Sequence, residues 1–297
     1  TTPYTVAVDI NGNEQTGTGI LALSTFGPIT AGAGYFNATN LQDSGNNGQI
    51  GNGVTADHKN VILNGSDMYV ATVQGDLDFV KLEAWYAGLQ ETFNTYTLAA
   101  TSTLDLAENA KLGLEARYVN LKLKQDAADG IANAVRNNPL LPAVTDAETK
   151  NDMFRLAVDG KFSIVNARLA YTKTGKNGGL TALDQDAKNT SLGWAISSNG
   201  VADADYYQAA LGADILDNLN FTLHYGQLKS KEDANATKER ILTDDIKAKE
   251  VYGQLTYKMS KNLSTYLRYG TYDEKINSTG EKVEDQTRGR IQVAYTF

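Results

Sequence analysis

The sequence predicts an all-β fold, a transmembrane antiparallel β-barrel, from three observations. Apolar and polar residues alternate in about thirteen segments of roughly ten residues, the length of a tilted strand that crosses a bilayer. Long and short connections alternate between most of these segments, as they do when turns lie on one side of a membrane and loops on the other. Charged side chains also occupy polar positions in mid-segment, which a water-filled interior tolerates and a dry core does not.

The composition excludes several other classes of protein. The 297 residues carry a formal net charge of −8 and contain no cysteine, which excludes thiolate metal sites, disulfides and cysteine nucleophiles. No apolar run reaches the ~18–20 residues that a membrane-spanning helix needs. Net acidity without a basic cluster argues against nucleic acid as a partner. The 27 Gly and 16 Tyr, with only 4 Pro, favour long strands.

The predicted strands show a side-chain period of two. In chain order they lie near residues 17–25, 28–37, 67–75, 80–86, 92–103, 112–118, 154–159, 165–172, 204–214, 219–225, 250–257, 263–269 and 288–297. The clearest apolar sets are Val80, Leu82, Ala84 and Tyr86; Leu112, Leu114, Ala116 and Tyr118; Phe154, Leu156 and Val158; Val165, Ala167, Leu169 and Tyr171; Leu219, Phe221, Leu223 and Tyr225; Val251, Gly253, Leu255 and Tyr257; Leu263, Thr265, Leu267 and Tyr269; and Ile291, Val293, Tyr295 and Phe297. Tyrosine recurs near the end of these sets, where an aromatic girdle meets the membrane surface.

The connections predict which end of the barrel faces outward. Long extracellular loops are expected at residues 38–66, 123–150, 173–203, 230–247 and 273–286, and short turns between them. Residues 88–92 are an exception, because this connection is short but falls on the loop side. The long loops are polar, so we expect them to be solvated, and Ala-rich pieces within 126–148 favour a short helix.

The charged residues at inward positions are the candidate pore lining. They are Lys81, Glu83, Glu115, Arg117, Arg155, Asp159, Arg168, Glu250, Arg268, Arg288 and Arg290. Opposite charges across a narrow aqueous pore create a transverse field that orients dipolar solutes and sets ion preference. The alternative for each residue is an ion pair that braces the wall.

Two C-terminal stretches carry a family resemblance. Residues 252–269 (YGQLTYKMSKNLSTYLRY) and 288–297 (RGRIQVAYTF) resemble the last strands of Gram-negative porins, and more narrowly the campylobacter-type major outer membrane protein. The runs GTGILA at 17–22 and LGW at 192–194 resemble the same family. The resemblance implies a trimeric, roughly 18-stranded general diffusion porin in the outer membrane, surrounded by lipid and lipopolysaccharide.

The first sixteen residues depart from this pattern. Residues 1–16 resemble the loop that folds into the lumen of such porins, and residues 17–297 would form the barrel. An odd set of strands cannot close with both termini on one side. Either N-terminal strands lie outside this chain, giving a barrel of about 16–18 strands in all, or residues 4–10 form a fourteenth strand. We favour the first interpretation.

A cation site is a second candidate. Asp9, Asn11 and Asn13 place oxygen atoms at alternate positions beside Gly12, as in half of a calcium-binding loop. The resembled family binds calcium near its constriction, which makes calcium the expected ion. A simple Asn-Gly turn is the alternative interpretation. No other cofactor is expected.

The predicted function is passive diffusion of ions and small hydrophilic solutes. A surface adhesin or a structural barrel remains an alternative, because the long loops could bind a partner. An outer-membrane hydrolase is a further alternative, but it needs a histidine beside a nucleophile or an acid pair. The sequence places no such partner beside His58 or His224, so we expect no enzymatic activity.

Overall fold

The computed structural model describes residues 2–8, 14, 16–41, 66–136, 142–231 and 245–296. In this part of the chain, thirteen strands form one antiparallel sheet in which neighbours follow chain order. The elements are β1 Gly17–Phe26, β2 Ile29–Thr39, β3 Met68–Asp76, β4 Lys81–Leu89, β5 Phe93–Ala107, β6 Ala110–Leu123, α1 Gln125–Arg136, β7 Lys150–Phe162, β8 Val165–Thr174, β9 Asp205–Leu216, β10 Leu219–Lys229, β11 Ile246–Lys258, β12 Leu263–Ile276 and β13 Lys282–Tyr295. Among the described residues, no helix has the length and apolar character needed to span a membrane.

The sheet is an uninterrupted series of antiparallel hairpins, which confirms the predicted fold class. The pairing of β11 with β12, for example, runs from Ile246 opposite Ile276 to Lys258 opposite Ser264 without a shift. Between the described strands, no ladder joins β1 to β13. This agrees with the expectation that an odd set of strands does not close.

One face of the sheet exposes a continuous apolar surface. Leu169, Leu211, Phe221, Leu255 and Leu267 all lie on this outer face and are exposed. A soluble monomer rarely exposes so large an apolar patch, because water solvates it poorly. A lipid bilayer covers such a surface, and the alternate residues then face inward.

The prediction of a long loop at residues 273–286 is wrong. Strand β12 continues to Ile276 and β13 begins at Lys282, so the connection covers only 277–281. Asp273 pairs with Asp285 and Glu274 with Glu284 in the ladder. Backbone hydrogen bonds extend a hairpin beyond the membrane irrespective of side-chain polarity, so a charged sequence did not end these strands.

The other long connections have different outcomes. Helix α1 lies within 123–150, so the predicted short helix is confirmed. Most of the predicted loops at 38–66 and 230–247 lie outside the described residues.

The connection between β8 and β9, residues 175–204, is not the solvated loop that its composition predicts. Leu180, Thr181, Ala182 and Leu183 are fully buried, as are most of their neighbours. We call residues 175–204 the inner loop, because they pack on the face of the sheet opposite the apolar outer face. A polar loop can be buried when strand side chains satisfy its backbone groups, and the residues of that face do so here.

The contacts of the inner loop also show that the sheet is curved. The side chain of Asn189 bonds Thr97 on β5, and the backbone of Trp194 bonds Glu250 on β11. Those strands would be ~29 Å apart in a flat sheet, whereas the chain from 189 to 194 spans at most ~17 Å. The loop segment can reach both strands because the sheet curves around it and brings them closer together than in a flat sheet.

An apolar cluster lies on the concave side at the long-loop end. Phe93 and Leu121 from the strands, Ile131 from α1 and Leu183 from the inner loop all belong to it. The sequence pattern predicted a water-filled interior lined by charges, and it did not predict this apolar cluster. The reason is that α1 and the inner loop bring apolar residues of their own into the interior.

The N-terminal residues join this cluster. The backbone nitrogen of Leu183 donates to the carbonyl of Tyr4 at 2.9 Å, and that of Asn189 donates to the carbonyl of Pro3 at 2.7 Å. The buried Tyr4 ring contacts Phe93 edge to face, and burial raises the pKa of Tyr4 well above its usual range. Within residues 4–8, the ladder contact that the structure describes is a single bridge from Val8 to Glu14.

Candidate functional site

The strand registers place all predicted pore-lining residues on the inner face. One row crosses the sheet from Glu83 through Arg117 to Arg155, and the adjacent row contains Lys81, Glu115 and Glu250. Further rows contain Asp159 with Arg168 and Arg268 with Arg290, which oppose each other directly. The rows follow from the period of two, because residues in register on neighbouring strands project to the same side.

Three arginines share one carboxylate at the centre of this face. Glu115 Oε1 lies 2.6 Å from Arg155 Nη2 and 3.1 Å from Arg117 Nε, and its Oε2 lies 3.7 Å from Arg168 Nη2. Arg168 also pairs with Asp159 at 2.7 Å. Buried charges are stable only when paired, and each arginine of this cluster contacts a carboxylate, although the three arginines outnumber the two acids.

Two of these arginines hold the inner loop. Arg155 donates from Nη1 to the carbonyl of Thr190 at 2.6 Å and from Nη2 to that of Lys188 at 2.9 Å. Arg117 Nη1 donates to Asn189 Oδ1 at 3.4 Å. Arg117 and Arg155 are only 3% and 8% exposed. They therefore sit beneath the loop rather than in open solvent.

Glu250 holds the other end of the same loop segment. Its carboxylate accepts hydrogen bonds from the backbone nitrogens of Trp194 at 3.1 and 3.2 Å, Ala195 at 2.7 Å and Ile196 at 3.4 Å. The residue is 3% exposed. Like the arginines, this predicted pore-lining group is covered by the loop.

Arg268 is surrounded by aromatic rings. Its guanidinium carbon lies 5.2 Å from the ring centre of Trp194, 4.9 Å from that of Tyr252 and 5.1 Å from that of Tyr266. Its Nε and Nη2 donate to Gln254 Oε1 at 2.8 and 2.6 Å. Cation–π contacts of this kind hold the guanidinium in one orientation but do not neutralise its positive charge.

The remaining predicted residues are more open. Arg168 has 42% of its side chain exposed, and Lys81 pairs with Asp76 in an exposed bridge at 3.1 Å. Glu83 accepts from Trp85 Nε1 at 3.2 Å, and Arg288 lies 3.4 Å from Glu284. Arg290 is exposed. These groups are the charged side chains that a solute in the lumen can meet.

A cavity of about 310 Å³ separates the inner loop from the wall. Arg155, Arg168, His224 and Glu250 line it from the strands, and Leu192 lines it from the loop. His224 stacks on Tyr252 with ring centres 4.5 Å apart. The cavity is polar and large enough to hold water between the loop and the wall.

The sequence did not predict that the inner loop contacts the charged residues of the inner face. Asn189, Gly193 and Trp194 all contact inner-face residues, yet none lies in an alternating segment. The available signal was Trp194, a large aromatic residue in an otherwise polar connection, which favours packing against a surface.

The predicted cation ligands Asp9, Asn11 and Asn13 lie outside the described residues. Elsewhere, in the part of the chain that the structure describes, no group of three or more His, Asp or Glu side chains could hold a metal ion.

Comparison with solved structures shows the same fold. The chain is similar to OccAB3 of Acinetobacter baumannii (16% identity, TM-score 0.71, covering 100% of this chain and 71% of that one). It is also similar to the outer membrane protein OprD of Pseudomonas aeruginosa (17% identity, TM-score 0.67, covering 99% and 72%). OpdK of the same organism, solved with vanillate, gives 12% identity and a TM-score of 0.65, covering 95% and 68%.

Family comparison identifies the chain. No curated protein sequence matches it. The family model for the Gram-negative porin matches residues 118–277, more than half of the chain. The match includes Arg155, Arg168, the inner loop and Glu250. The chain therefore belongs to the family of Gram-negative porins, passive channels for small solutes in the outer membrane.

Proposed function

We propose that this porin is a general diffusion channel whose path follows the exposed charges of the inner face, beside the inner loop. The observation that carries the proposal is the division of that face. The inner loop covers Arg117, Arg155 and Glu250, while Arg168, Arg288 and Arg290 stay open to solvent. Charged walls of an aqueous passage attract and orient small polar solutes without binding them tightly.

Bases outnumber acids among these open groups, which favours small anions over cations. Glu250 is buried beneath the inner loop and Glu115 is paired with arginines, so neither presents an open negative charge to the passage. OpdK was solved with vanillate, an anion, and for this chain we propose a preference for anionic solutes on the basis of the open charges.

Planar-bilayer recording of the purified protein tests the proposal. We expect stepwise conductance in potassium chloride, with closures in groups of three. A barrel that inserts without conducting would contradict the channel and favour the adhesin or structural alternative. Hydrolysis of lipid or peptide by a non-conducting protein would favour the hydrolase; we propose that the chain is not an enzyme.

We also propose a narrower family membership and an oligomeric state for this chain. We infer that the chain is of the campylobacter-type, a homotrimer in contact with lipopolysaccharide. The C-terminal runs at 252–269 and 288–297 support the first inference. Small residues on the outer face of β1 to β3, Ala22, Ala33 and Ala71 in one row, support close approach of a second copy.

We propose that residues 1–16 form an inward-folding segment and residues 17–297 a barrel with long extracellular loops. The contacts of Pro3 and Tyr4 with the inner loop support this division. We also propose a calcium ion at Asp9, Asn11 and Asn13, supported by their spacing.

The calcium proposal predicts a stability effect. Calcium should raise the melting temperature of the wild-type protein, and Asp9→Asn should abolish the increase because it removes the charged ligand. Thermal unfolding with calcium or with a chelator measures this. An equal response in both proteins would exclude Asp9 as a ligand.

A further inference from the structure

We call residues 188–196 the tip of the inner loop. One end of this tip is held by a positive side chain and the other end by a negative one. The carbonyl groups of Lys188 and Thr190 accept from Arg155, and at residues 194–196 the backbone N–H groups donate to Glu250. Between the two anchors the tip covers the cavity that Arg168, His224 and Tyr252 line. The position of the tip therefore decides whether this space is a side pocket or part of the passage.

The Glu250 anchor is the more specific of the two. Three successive N–H groups converging on one point form an anion-binding nest, and here the anion comes from strand β11. Hydrogen bonds to an ionised acceptor are roughly twice as strong as neutral ones. With the carboxylate removed, Trp194, Ala195 and Ile196 would each present an unpaired buried donor or turn toward water.

Glycine at 193 makes room for this contact. A Cβ atom built there would overlap Glu250 Oε1 and crowd Tyr206 Oη. Any larger residue at this position therefore forces the carboxylate and the loop backbone that bonds it to move apart. Gly193→Ala thus breaks the anchor without changing the charge of the protein.

We propose that Glu250, seated in the nest of residues 194–196, is a positioning residue that fixes the inner-loop tip and so sets the size of the passage. It acts on solutes through the loop and not as a charge exposed to them. This assigns Glu250 a role different from that of a pore-lining acid. Loss of the anchor lets the tip leave the wall and joins the cavity to the passage.

Single-channel recording gives the first test. Removing these charge-assisted bonds should raise the detached fraction of the loop at least about tenfold. Glu250→Ala and Gly193→Ala should then both replace a steady open current with flickering between levels. Glu108→Gln, in an exposed turn, and Gly289→Ala, where a Cβ has ordinary contacts, are matched controls and should keep the steady current.

Fluorescence gives a second test that does not need conduction. The chain has 2 Trp, so a Trp85→Phe background leaves Trp194 as the reporter. We expect acrylamide to quench Trp194 about twofold or more faster in the two anchor variants, because the ring leaves Arg268 and Tyr252. Sodium formate should restore both readouts in Glu250→Ala by filling the nest, and should have no effect on Gly193→Ala.

The outcomes separate the alternatives. A changed current in Glu250→Ala with an unchanged one in Gly193→Ala would overturn the proposal and make Glu250 a pore charge. Unchanged quenching in both variants would also overturn it. The recordings rest on the proposed channel function; if the wild-type protein does not conduct, that function fails while quenching still tests the anchor. Should Glu250→Ala not assemble, Glu250→Gln, which keeps the volume, serves in its place.

Discussion

At the residue scale, the inner face shows that equal charges have unequal roles. Arg155 and Arg290 are both strand arginines at inward positions, but Arg155 is buried beneath the inner loop and Arg290 is exposed. Arg155 bonds one carboxylate and two backbone carbonyls. A period of two predicts the side of the sheet on which a residue lies, but not what covers it there.

This difference predicts unequal costs of substitution. Arg155→Met should destabilise the folded protein by about 3 kcal/mol or more, because it removes a buried pair and leaves the carbonyls of Lys188 and Thr190 without their donor. Arg290→Met should change the free energy of unfolding by less than about 0.5 kcal/mol. Denaturant unfolding of both variants in detergent measures this, and equal costs would contradict the assigned anchor.

At the element scale, the strands obey their local pattern and the connections do not. The alternation of residues 165–172 predicted β8. In the structure this strand is longer than the predicted segment only by the residues up to Thr174. The inner loop has no such pattern, and its burial depends on Arg155, Glu250 and Tyr4, which are distant in the chain. Strand pairing is repetitive, so a local signal suffices, whereas a loop is placed by contacts that no local signal contains.

The outer face of β8 gives a prediction at this scale. Leu169 lies in mid-strand on the lipid-facing side, so Leu169→Lys should destabilise the barrel in a bilayer by about 2–4 kcal/mol. Leu169→Phe keeps the residue apolar and should cost less than about 1 kcal/mol. Unfolding in lipid vesicles tests the pair. A tolerated lysine would mean that water, and not lipid, covers this position.

At the scale of the whole molecule, the inner face is a charged wall partly filled at one end. An apolar cluster of Phe93, Ile131 and Leu183 occupies the long-loop end. Open charges, including Arg168 and Arg290, remain toward the turns. Solute selectivity then depends on the charges that stay uncovered.

Arg268 and Arg290, which oppose each other on β12 and β13, are the test of selectivity. Replacing both by Gln should raise the ratio of potassium to chloride permeability by about twofold or more, since two positive charges leave the wall. The reversal potential in a salt gradient measures the ratio. Lys261→Gln, in the exposed turn before β12, removes a charge elsewhere and should leave it nearly unchanged. No shift in the double variant would exclude these residues from the passage.

The sequence by itself determined the strands, their two faces and the set of inward charges. These follow from a period of two and from the cost of a buried unpaired charge, both of which are local properties. Only the tertiary structure decided that Arg117, Arg155 and Glu250 hold a loop while Arg168 and Arg290 remain open. The physical reason is that residues 188–196 satisfy backbone groups with side chains of strands β7 and β11, and a match between such distant partners exists only once the sheet has curved around them.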